Sequence, residues 1–348
     1  MKLNTTTRKS IALACTLAAG AAMADTGVTL YGRANVSAEN QKAGDRTESV
    51  LVDNQSRVGV RATRDIANGM TVGATLEAGI NFTNGLSNAS GFFAREATLA
   101  LGGANFGQIK VGRMPASTAY FATADYVSNH NHDTGSSADA LYDGSAIGQL
   151  KNAVSYATPK IGNLQMEAQY GFKNSTGVGA SGNDVDSRNF SPVALSANYT
   201  VGALALGMGY ERGENTWSKG DTTDYASQLA LRAYYVMGPW GFGGYVQKTS
   251  GTDAGRTAYR LSAMYTMGQN EFHVNFGAAG ERAGKANTGA KQFTLAYNYN
   301  LDKQTKLYAL YTKVDNDSDA SYNPGRFITN TSTNPDLSSV GVGVRYNF

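Results

Sequence analysis

The sequence is poor in cysteine, histidine and proline, and it lacks long apolar runs. Its 348 residues include one cysteine, three histidines and six prolines. After residue 24, no apolar run approaches the roughly 20 residues that a membrane-spanning helix needs. A helical membrane protein is therefore excluded for this part of the chain. If the chain crosses a membrane, it must do so as a closed β-barrel, because only helices and closed barrels satisfy every backbone polar group in lipid.

The first 24 residues have the features of an export signal. Three basic residues precede a short apolar run over residues 11–22, and a small-x-small cleavage site ends at Ala24. The alternative is an N-terminal core helix. We expect cleavage after Ala24 and a mature chain, residues 25–348, that forms one domain. The cysteine, Cys15, leaves with the signal, so the exported chain cannot be stabilised by disulfides.

The charge balance gives no reason to expect a nucleic-acid partner. The sequence has 30 Lys and Arg residues against 27 Asp and Glu residues. The expected signal removes three basic residues and no acidic one, which leaves 27 against 27. Glycine (41) and tyrosine (20) are abundant, a composition that fits no ordinary soluble enzyme well.

Alternation of apolar and polar residues over ~8–10 residues recurs along the chain, bounded by turn residues. Residues 70–82 are the clearest example, because their apolar face continues for seven alternate positions while the other face carries Thr, Gly and Glu77. The pattern predicts antiparallel strands. A soluble β-sandwich and a membrane barrel both produce it, since the polar face meets water in either fold.

The lengths of the links favour the barrel. Strands of ~9–11 residues can be placed at sixteen positions, and short and long links then alternate. Short turns at one end and long polar loops at the other are expected of a transmembrane β-barrel, so we predict an all-β, 16-stranded antiparallel barrel with an aqueous channel. The predicted strands are 28–38, 56–64, 70–82, 92–102, 108–113, 150–158, 163–173, 191–201, 204–212, 224–237, 240–249, 257–267, 271–280, 290–300, 305–314 and 339–348. The predicted long links are 39–55, 83–91, 114–149, 174–190, 213–223, 250–256, 281–289 and 315–338.

The longest interval without alternation extends from Pro115 to Gln149. A loop of this length is uncommon in a compact fold unless it is functional. It carries four aspartates and no Lys or Arg. We interpret it as an acidic third loop that folds into the barrel, faces basic residues on the wall and narrows the pore. The candidate acids are Asp125, Asp133 and Asp139.

Five segments of the chain occur in a characteristic order and spacing. They are Val28–Gly32, Gln55–Val60, Phe106–Arg113, Asn152–Pro159 and the terminal Phe348. Together they resemble the Gram-negative trimeric porins, the general diffusion porins of the β-proteobacterial subgroup, over essentially the whole mature chain. The resemblance implies a sixteen-stranded barrel, a homotrimer and a third loop folded into the pore.

The resemblance also implies an arginine cluster on the wall that faces the third loop. The cluster maps onto Arg57 and Arg95, with Arg33 at a first-strand position that is often basic in related porins. A further arginine of the family falls on Gln149, and Lys151 has the same strand parity and is a candidate substitute. The Pro-Glu-Phe-Gly-Gly motif of enterobacterial porins is absent from the third loop.

Alternation independently places Arg33, Arg57 and Arg61 on the polar face. A charge on the lipid face near the midplane costs ~2–4 kcal/mol, so the lumen is the better place for them. Arg95 shares parity with Leu99 and therefore requires a bulge or a position at the rim. The cluster would create a transverse field that orients solutes and sets ion preference. The alternative is ordinary lumen charge that is paired for solubility.

The chain ends in an alternating segment in which Tyr346 and Phe348 share a face with Val342 and Val344. We expect this last strand to close the barrel and to contribute to assembly. The aromatic end suits the membrane interface, where aromatic residues are enriched.

No catalytic, metal or cofactor site is expected. His130 and His132 are two residues apart, a spacing that suits no common zinc pattern. The acidic run at 315–319 lacks the Gly and Glu of a calcium loop, although weak divalent binding at the cell surface stays open. His273 has no triad-like spacing to a nucleophile.

The expected function is a passive, water-filled pore for ions and small hydrophilic solutes across the bacterial outer membrane. The expected partners are further copies in a homotrimer, outer-membrane lipid, lipopolysaccharide and the transported solutes. The alternatives are a substrate-selective channel on the same barrel, an adhesion or interaction role for the long loops, and a soluble secreted β-protein. The sign of the ion preference and the physiological solute are left open.

Overall fold

The computed structural model describes residues 27–87, 91–118, 135–142, 149–172, 191–214, 225–325, 327–328 and 335–348. The described residues form seventeen β-strands and two short 3-10 turns, at Ala67–Gly69 and Gly135–Ser137. The strands are β1 (Gly27–Ala43), β2 (Arg46–Asp53), β3 (Arg57–Ile66), β4 (Met70–Gly79), β5 (Glu96–Gly103), β6 (Gly107–Pro115), β7 (Gln149–Ala157), β8 (Leu164–Gly171), β9 (Val193–Val201), β10 (Leu204–Glu214), β11 (Tyr225–Met237), β12 (Trp240–Ser250), β13 (Arg256–Met267), β14 (Asn270–Ala279), β15 (Ala290–Asn300), β16 (Thr305–Asn316) and β17 (Leu337–Asn347). Within this part of the chain, no helix is long and apolar enough to cross a membrane.

The sheet closes on itself. Successive strands pair in antiparallel fashion, and β17 pairs with β1 from Arg33↔Asn347 to Ala43↔Leu337. β1 pairs with β3 over residues 27–33 and with β2 over residues 36–43. β2 and β3 are therefore two halves of one barrel strand, interrupted at residues 54–56. The architecture is a closed 16-stranded antiparallel barrel, which confirms the predicted fold.

The first hairpin corrects the predicted link at 39–55. β1 continues to Ala43, turns at Gly44 and Asp45, and returns as β2. Residues 39–49 are mostly polar and residues 50–52 are a Val-Leu-Val run, so the segment shows none of the alternation by which a strand is recognised in a sequence. Hydrogen-bonded pairing with β1 nevertheless keeps it extended. The predicted links at 281–289 and 315–338 do coincide with breaks between strands.

The barrel buries polar side chains and exposes apolar ones. Asn35 and Gln41 on the inner face are 0% exposed, whereas Val28 and Val342 on the outer face are 68% and 62% exposed. This is the reverse of the distribution in a soluble protein. It is the arrangement expected when the outer face contacts lipid and the inner face encloses a polar lumen.

Aromatic residues divide the barrel into two sectors. β1–β6 contain a single aromatic residue, Tyr31, which points inward and donates a hydrogen bond to Glu77. Each strand from β7 to β17 contains at least one aromatic residue. Aromatic side chains are enriched where a protein surface meets the two membrane interfaces. The outer face of β1–β6 therefore differs in chemistry from the rest of the barrel.

The chain leaves the wall for its longest loop through a β-bulge at the end of β6. The register between β6 and β7 shifts between Gly112 and Met114. Gly112 has φ +125°, and a Cβ at this position would overlap the carbonyl oxygen of Ala97. Only glycine combines this backbone conformation with so close an approach of the neighbouring strand.

Candidate pore constriction

Basic side chains gather around one carboxylate on the wall formed by β1, β3 and β4. Arg95 Nε lies 2.6 Å from Glu77 Oε1, and Arg57 Nε lies 4.0 Å from Glu77 Oε2. The Tyr31 hydroxyl donates to Glu77 Oε2 at 3.0 Å, and the Arg61 guanidinium lies 4.9 Å from the centre of the Tyr31 ring. The structure therefore brings together three of the predicted arginines, Arg57, Arg61 and Arg95, through Glu77 and Tyr31.

Arg33 extends this group across β1. It lies directly opposite Arg57 in the β1–β3 register and opposite Asn347 in the β1–β17 register. Its Nε donates to Asn347 Oδ1 at 2.9 Å. Like charges in directly opposed positions destabilise a sheet, so stability alone does not explain the Arg33–Arg57 pair.

Arg95 and Lys151 reach their positions by different departures from alternation. Arg95 immediately precedes β5, its backbone N–H donates to Glu77 O, and its Nη1 donates to Gln55 Oε1 at 2.7 Å. Asn152 has φ +48° and interrupts β7, so that Leu150 and Ala153 are both buried in the same cluster. Strand parity therefore does not place Lys151 beside the arginines.

The beginning of the third loop is attached to the wall formed by β8 and β10. The Ser117 backbone N–H donates to Gln169 Oε1 at 2.7 Å, and the Thr118 hydroxyl donates to Glu211. Gln228 also donates to Glu211, whose side chain is fully buried. A charged acceptor makes these bonds stronger than bonds between neutral groups.

The end of the loop is attached to a different part of the wall, at Glu39 of β1. The Ser136 N–H and hydroxyl donate to Glu39 at 3.1 and 2.5 Å. Ser37, Gln41 and Ser339 also donate to the Glu39 carboxylate, at 2.6, 3.1 and 2.8 Å. The described residues at the two ends of the loop, 115–118 and 135–142, are therefore attached to different parts of the inner wall.

Asp139 is an attachment point of the loop on β13 and β12. It lies 3.0 Å from Arg260 Nη2, and both side chains are 1% exposed. The Tyr245 hydroxyl donates to Asp139 Oδ2 at 2.7 Å. These contacts differ from the expectation that Asp139 faces the arginines of the first strands. Its charge is neutralised by Arg260, so the described part of the loop does not present it to the lumen.

The last long loop packs onto the third loop. Leu141 and Ala140 contact a buried cluster that includes Tyr322 and Phe327. Arg256 donates to the Leu141 carbonyl oxygen at 2.7 Å and to the Tyr322 hydroxyl at 2.9 Å. Ala140 and Leu141 at the described end of the third loop are thus held between the barrel wall and the cluster of Ala320, Tyr322 and Phe327.

Several predicted residues lie outside the described residues. They are Asp125 and Asp133 of the third loop, the histidines His130 and His132, and Ala24 at the expected cleavage site. The terminal residues are described: Phe348 exchanges backbone hydrogen bonds with Gly32 at 2.8 and 3.1 Å, and its ring lies 5.8 Å from that of Tyr346.

Sequence reasoning missed the wall residues that hold the loop and the arginines. Glu77, Glu39 and Arg260 were not among the candidates, although alternation places each of them on the lumen face of its strand. Their inward orientation was therefore available from the sequence. The partners that connect them to the arginines and the loop were not, because Arg95, Ser136 and Asp139 lie 18, 97 and 121 residues from Glu77, Glu39 and Arg260.

Comparison with known proteins agrees with this architecture. The family model described as "Gram-negative porin" matches residues 10–319. The chain belongs to the Gram-negative porin family. This porin is 30% identical to outer membrane porin protein 32 of Delftia acidovorans, over 97% of its own length and 99% of the relative. It is 27% identical to an outer membrane porin protein of Bordetella pertussis, over 98% and 100% of the two chains.

Solved porins share the fold of this porin. The anion-selective porin from Comamonas acidovorans superposes with a TM-score of 0.74 at 23% identity, over 93% of this chain and 100% of the other. The trimer form of OmpT of Vibrio cholerae superposes with a TM-score of 0.66 at 16% identity, over 93% and 99% of the two chains. The protein is thus an outer-membrane porin, a channel for passive diffusion, and its family is one of channels rather than enzymes.

Proposed function

We propose that this porin prefers anions and that its basic wall sets the preference. The observation that carries the proposal is the composition of the wall on β1 and β3–β6. The carboxylate of Glu39, also on β1, accepts hydrogen bonds from Ser136 of the third loop. Around Glu77 and Glu96, five basic side chains and two carboxylates contribute to the wall among the described residues. The basic side chains are Arg33, Arg57, Arg61, Arg95 and Lys110. The carboxylates are Glu77 and Glu96.

The described end of the third loop does not offset this excess. Asp139, the predicted acid that the structure describes, is paired with Arg260. A lumen with net positive charge concentrates anions and repels cations, and low-dielectric walls focus the field. The related barrel of Comamonas acidovorans is named anion-selective, which supports the same sign here. Asp125 and Asp133 are proposed as the acids that face the arginines across the constriction.

A reversal-potential measurement tests the ion preference. Purified porin in a planar bilayer under a KCl gradient should give a reversal potential of the anion-selective sign. Replacing Arg57 and Arg95 together by Glu should move it toward cation preference, because two positive charges become two negative charges at the proposed constriction.

A matched control is Arg64→Glu. Arg64 is exposed near the end of β3, so the same chemical change there should leave the reversal potential unchanged. A double variant with the wild-type reversal potential would show that Arg57 and Arg95 do not line the constriction.

We further propose that the porin acts without a chemical step or cofactor, as a homotrimer that contacts outer-membrane lipid and lipopolysaccharide. Removal of residues 1–24 after Ala24 during export is part of the same proposal. The aromatic outer face of β7–β17 suits contact with lipid interfaces. The aliphatic outer face of β1–β6 suits contact with other subunits.

A further inference from the structure

A second basic group lies on the inner wall, near the short-turn end of the barrel. Lys306 is the second residue of β16 and lies directly opposite Arg345 of β17. Arg345 in turn lies opposite Asn35 of β1, and the next inward position of β1 toward the short-turn end is Arg33. A basic stretch therefore continues from Arg33 of the proposed constriction to the ends of β17 and β16 that adjoin the short link at residues 301–304. In porins the short turns lie on the periplasmic side.

Two donors of the buried Arg345 side chain have no acceptor among the described residues. The side chain is 7% exposed, and the two donors are its Nε and Nη1. The Tyr308 ring lies against Gly343, two residues earlier on the same face of β17, and helps to enclose the arginine. The Tyr308 hydroxyl donates to Asn35 Oδ1 at 2.9 Å. A buried charged donor without an acceptor is costly, so the site calls for an external acceptor.

Lys306 has a nearby carboxylate in this group, that of Glu271 on β14. Glu271 Oε2 lies 3.9 Å from Lys306 Nζ and 3.6 Å from His273 Nε2. It also accepts a hydrogen bond from Asn298 Nδ2 at 3.0 Å. Glu271 offsets one of the two positive charges of Lys306 and Arg345. The Nε and Nη1 donors of Arg345 are left without an acceptor among the described residues on the β17 side.

We propose that Arg345 and Lys306 form a binding site for a small oxyanion of the phosphate class on the periplasmic side of the constriction. A guanidinium presents paired N–H donors that match two oxygens of a tetrahedral oxyanion, and an ammonium adds a point charge. The site would hold anions that have passed the basic wall. This proposal rests on the proposed anion preference of the pore. It adds a specific binding site for oxyanions to that general preference.

Inhibition of chloride current by inorganic phosphate tests the site. Phosphate added to the short-turn side of a single wild-type channel at constant ionic strength should reduce the chloride current saturably. Arg345→Gln and Lys306→Gln should each raise the half-inhibiting concentration about tenfold, because each removes charged donors from the anion. Arg345→Lys keeps the charge but loses the paired donors, so its increase should be smaller.

Lys313→Gln is the matched control. Lys313 lies on the same strand as Lys306, but its side chain is 45% exposed and contacts Asp315. An equal loss of inhibition in this variant would attribute the effect to total charge and overturn the site. Absence of saturable inhibition in the wild type, or unchanged inhibition in both Gln variants, would also overturn it.

Two readouts separate this proposal from the pore itself. Heat-modifiable migration on gels establishes that each variant forms a folded barrel, and Arg345→Lys replaces Arg345→Gln if the latter does not fold. If wild-type protein forms channels of the expected ion preference without saturable phosphate inhibition, only the oxyanion site is rejected. If it forms no channel, the proposed pore function fails first.

Discussion

Asp139 and Arg260 form a charged pair that is almost completely removed from solvent within a polar lumen. Both side chains are 1% exposed, and Tyr245 satisfies a second carboxylate oxygen. Gln292 accepts a hydrogen bond from Arg260 Nη2 at 2.6 Å. A buried pair contributes little net stability when it is complete, but loss of one partner leaves an uncompensated charge. Its role is therefore to fix the position of the loop.

Asp139→Asn and Arg260→Gln test this role. Each single change should cost ~3–5 kcal/mol at the attachment, since it strands a buried charge. The loop should then detach, which single-channel recording would detect as increased current noise. The double variant should be less noisy than either single variant, because the two residues are coupled. Additive effects would contradict a direct pairing.

The end of β6 is the element that directs the third loop inward. The bulge at Gly112 ends regular pairing with β7, and the loop then begins with bonds to Gln169 and Glu211. A bulge bends its strand and re-aims the following residues. The local backbone conformation thus determines where the constriction starts.

Gly112→Ala should destabilise the folded barrel. The added Cβ would force a positive-φ backbone, which costs on the order of 1–3 kcal/mol, and would overlap the Ala97 carbonyl oxygen. The midpoint of urea unfolding in detergent should fall. Gly73→Ala is the control, because a Cβ at Gly73 would have its first neighbour, Ala62 O, at 3.5 Å. Equal midpoints for the two variants would remove the special role of the bulge.

The outer face of β1–β6 and the outer face of β7–β17 are expected to contact different partners, other subunits and lipid respectively. Val60 on β3 and Leu231 on β11 are comparably exposed outer-face residues, at 39% and 46%. Only the second lies among aromatic strands. If β1–β6 face other subunits, large side chains there should interfere with close packing, whereas lipid would accommodate them.

Val60→Trp should weaken the trimer, and Leu231→Trp should not. Overpacking a formed interface costs typically ~1–3 kcal/mol, while lipid adapts to an added ring. Native gel electrophoresis over a temperature series would measure the dissociation of trimer to monomer. Dissociation of both variants at the wild-type temperature would exclude β1–β6 as the interface.

The barrel fold and the inward face of each strand could be predicted from the amino-acid sequence alone. Alternation is a local property with a period of two, so residues such as Arg33, Arg57 and Glu77 are oriented by their own strands. It failed at residues 39–55, which are mostly polar with an apolar run at 50–52, and at Asn152, where a positive φ interrupts the alternation. Neither departure has a periodic signal.

Which charged side chains form ion pairs could be seen only in the folded barrel. The partner of Asp139 is Arg260, which is 121 residues away in the sequence and lies on a strand that Asp139 reaches only in the folded barrel. The environment of Arg345 likewise depends on the side chains that the two neighbouring strands, β16 and β1, present beside it. Ion pairing in this barrel is set by closure of the sheet and the path of the loop, and neither is encoded in the spacing of residues along one strand.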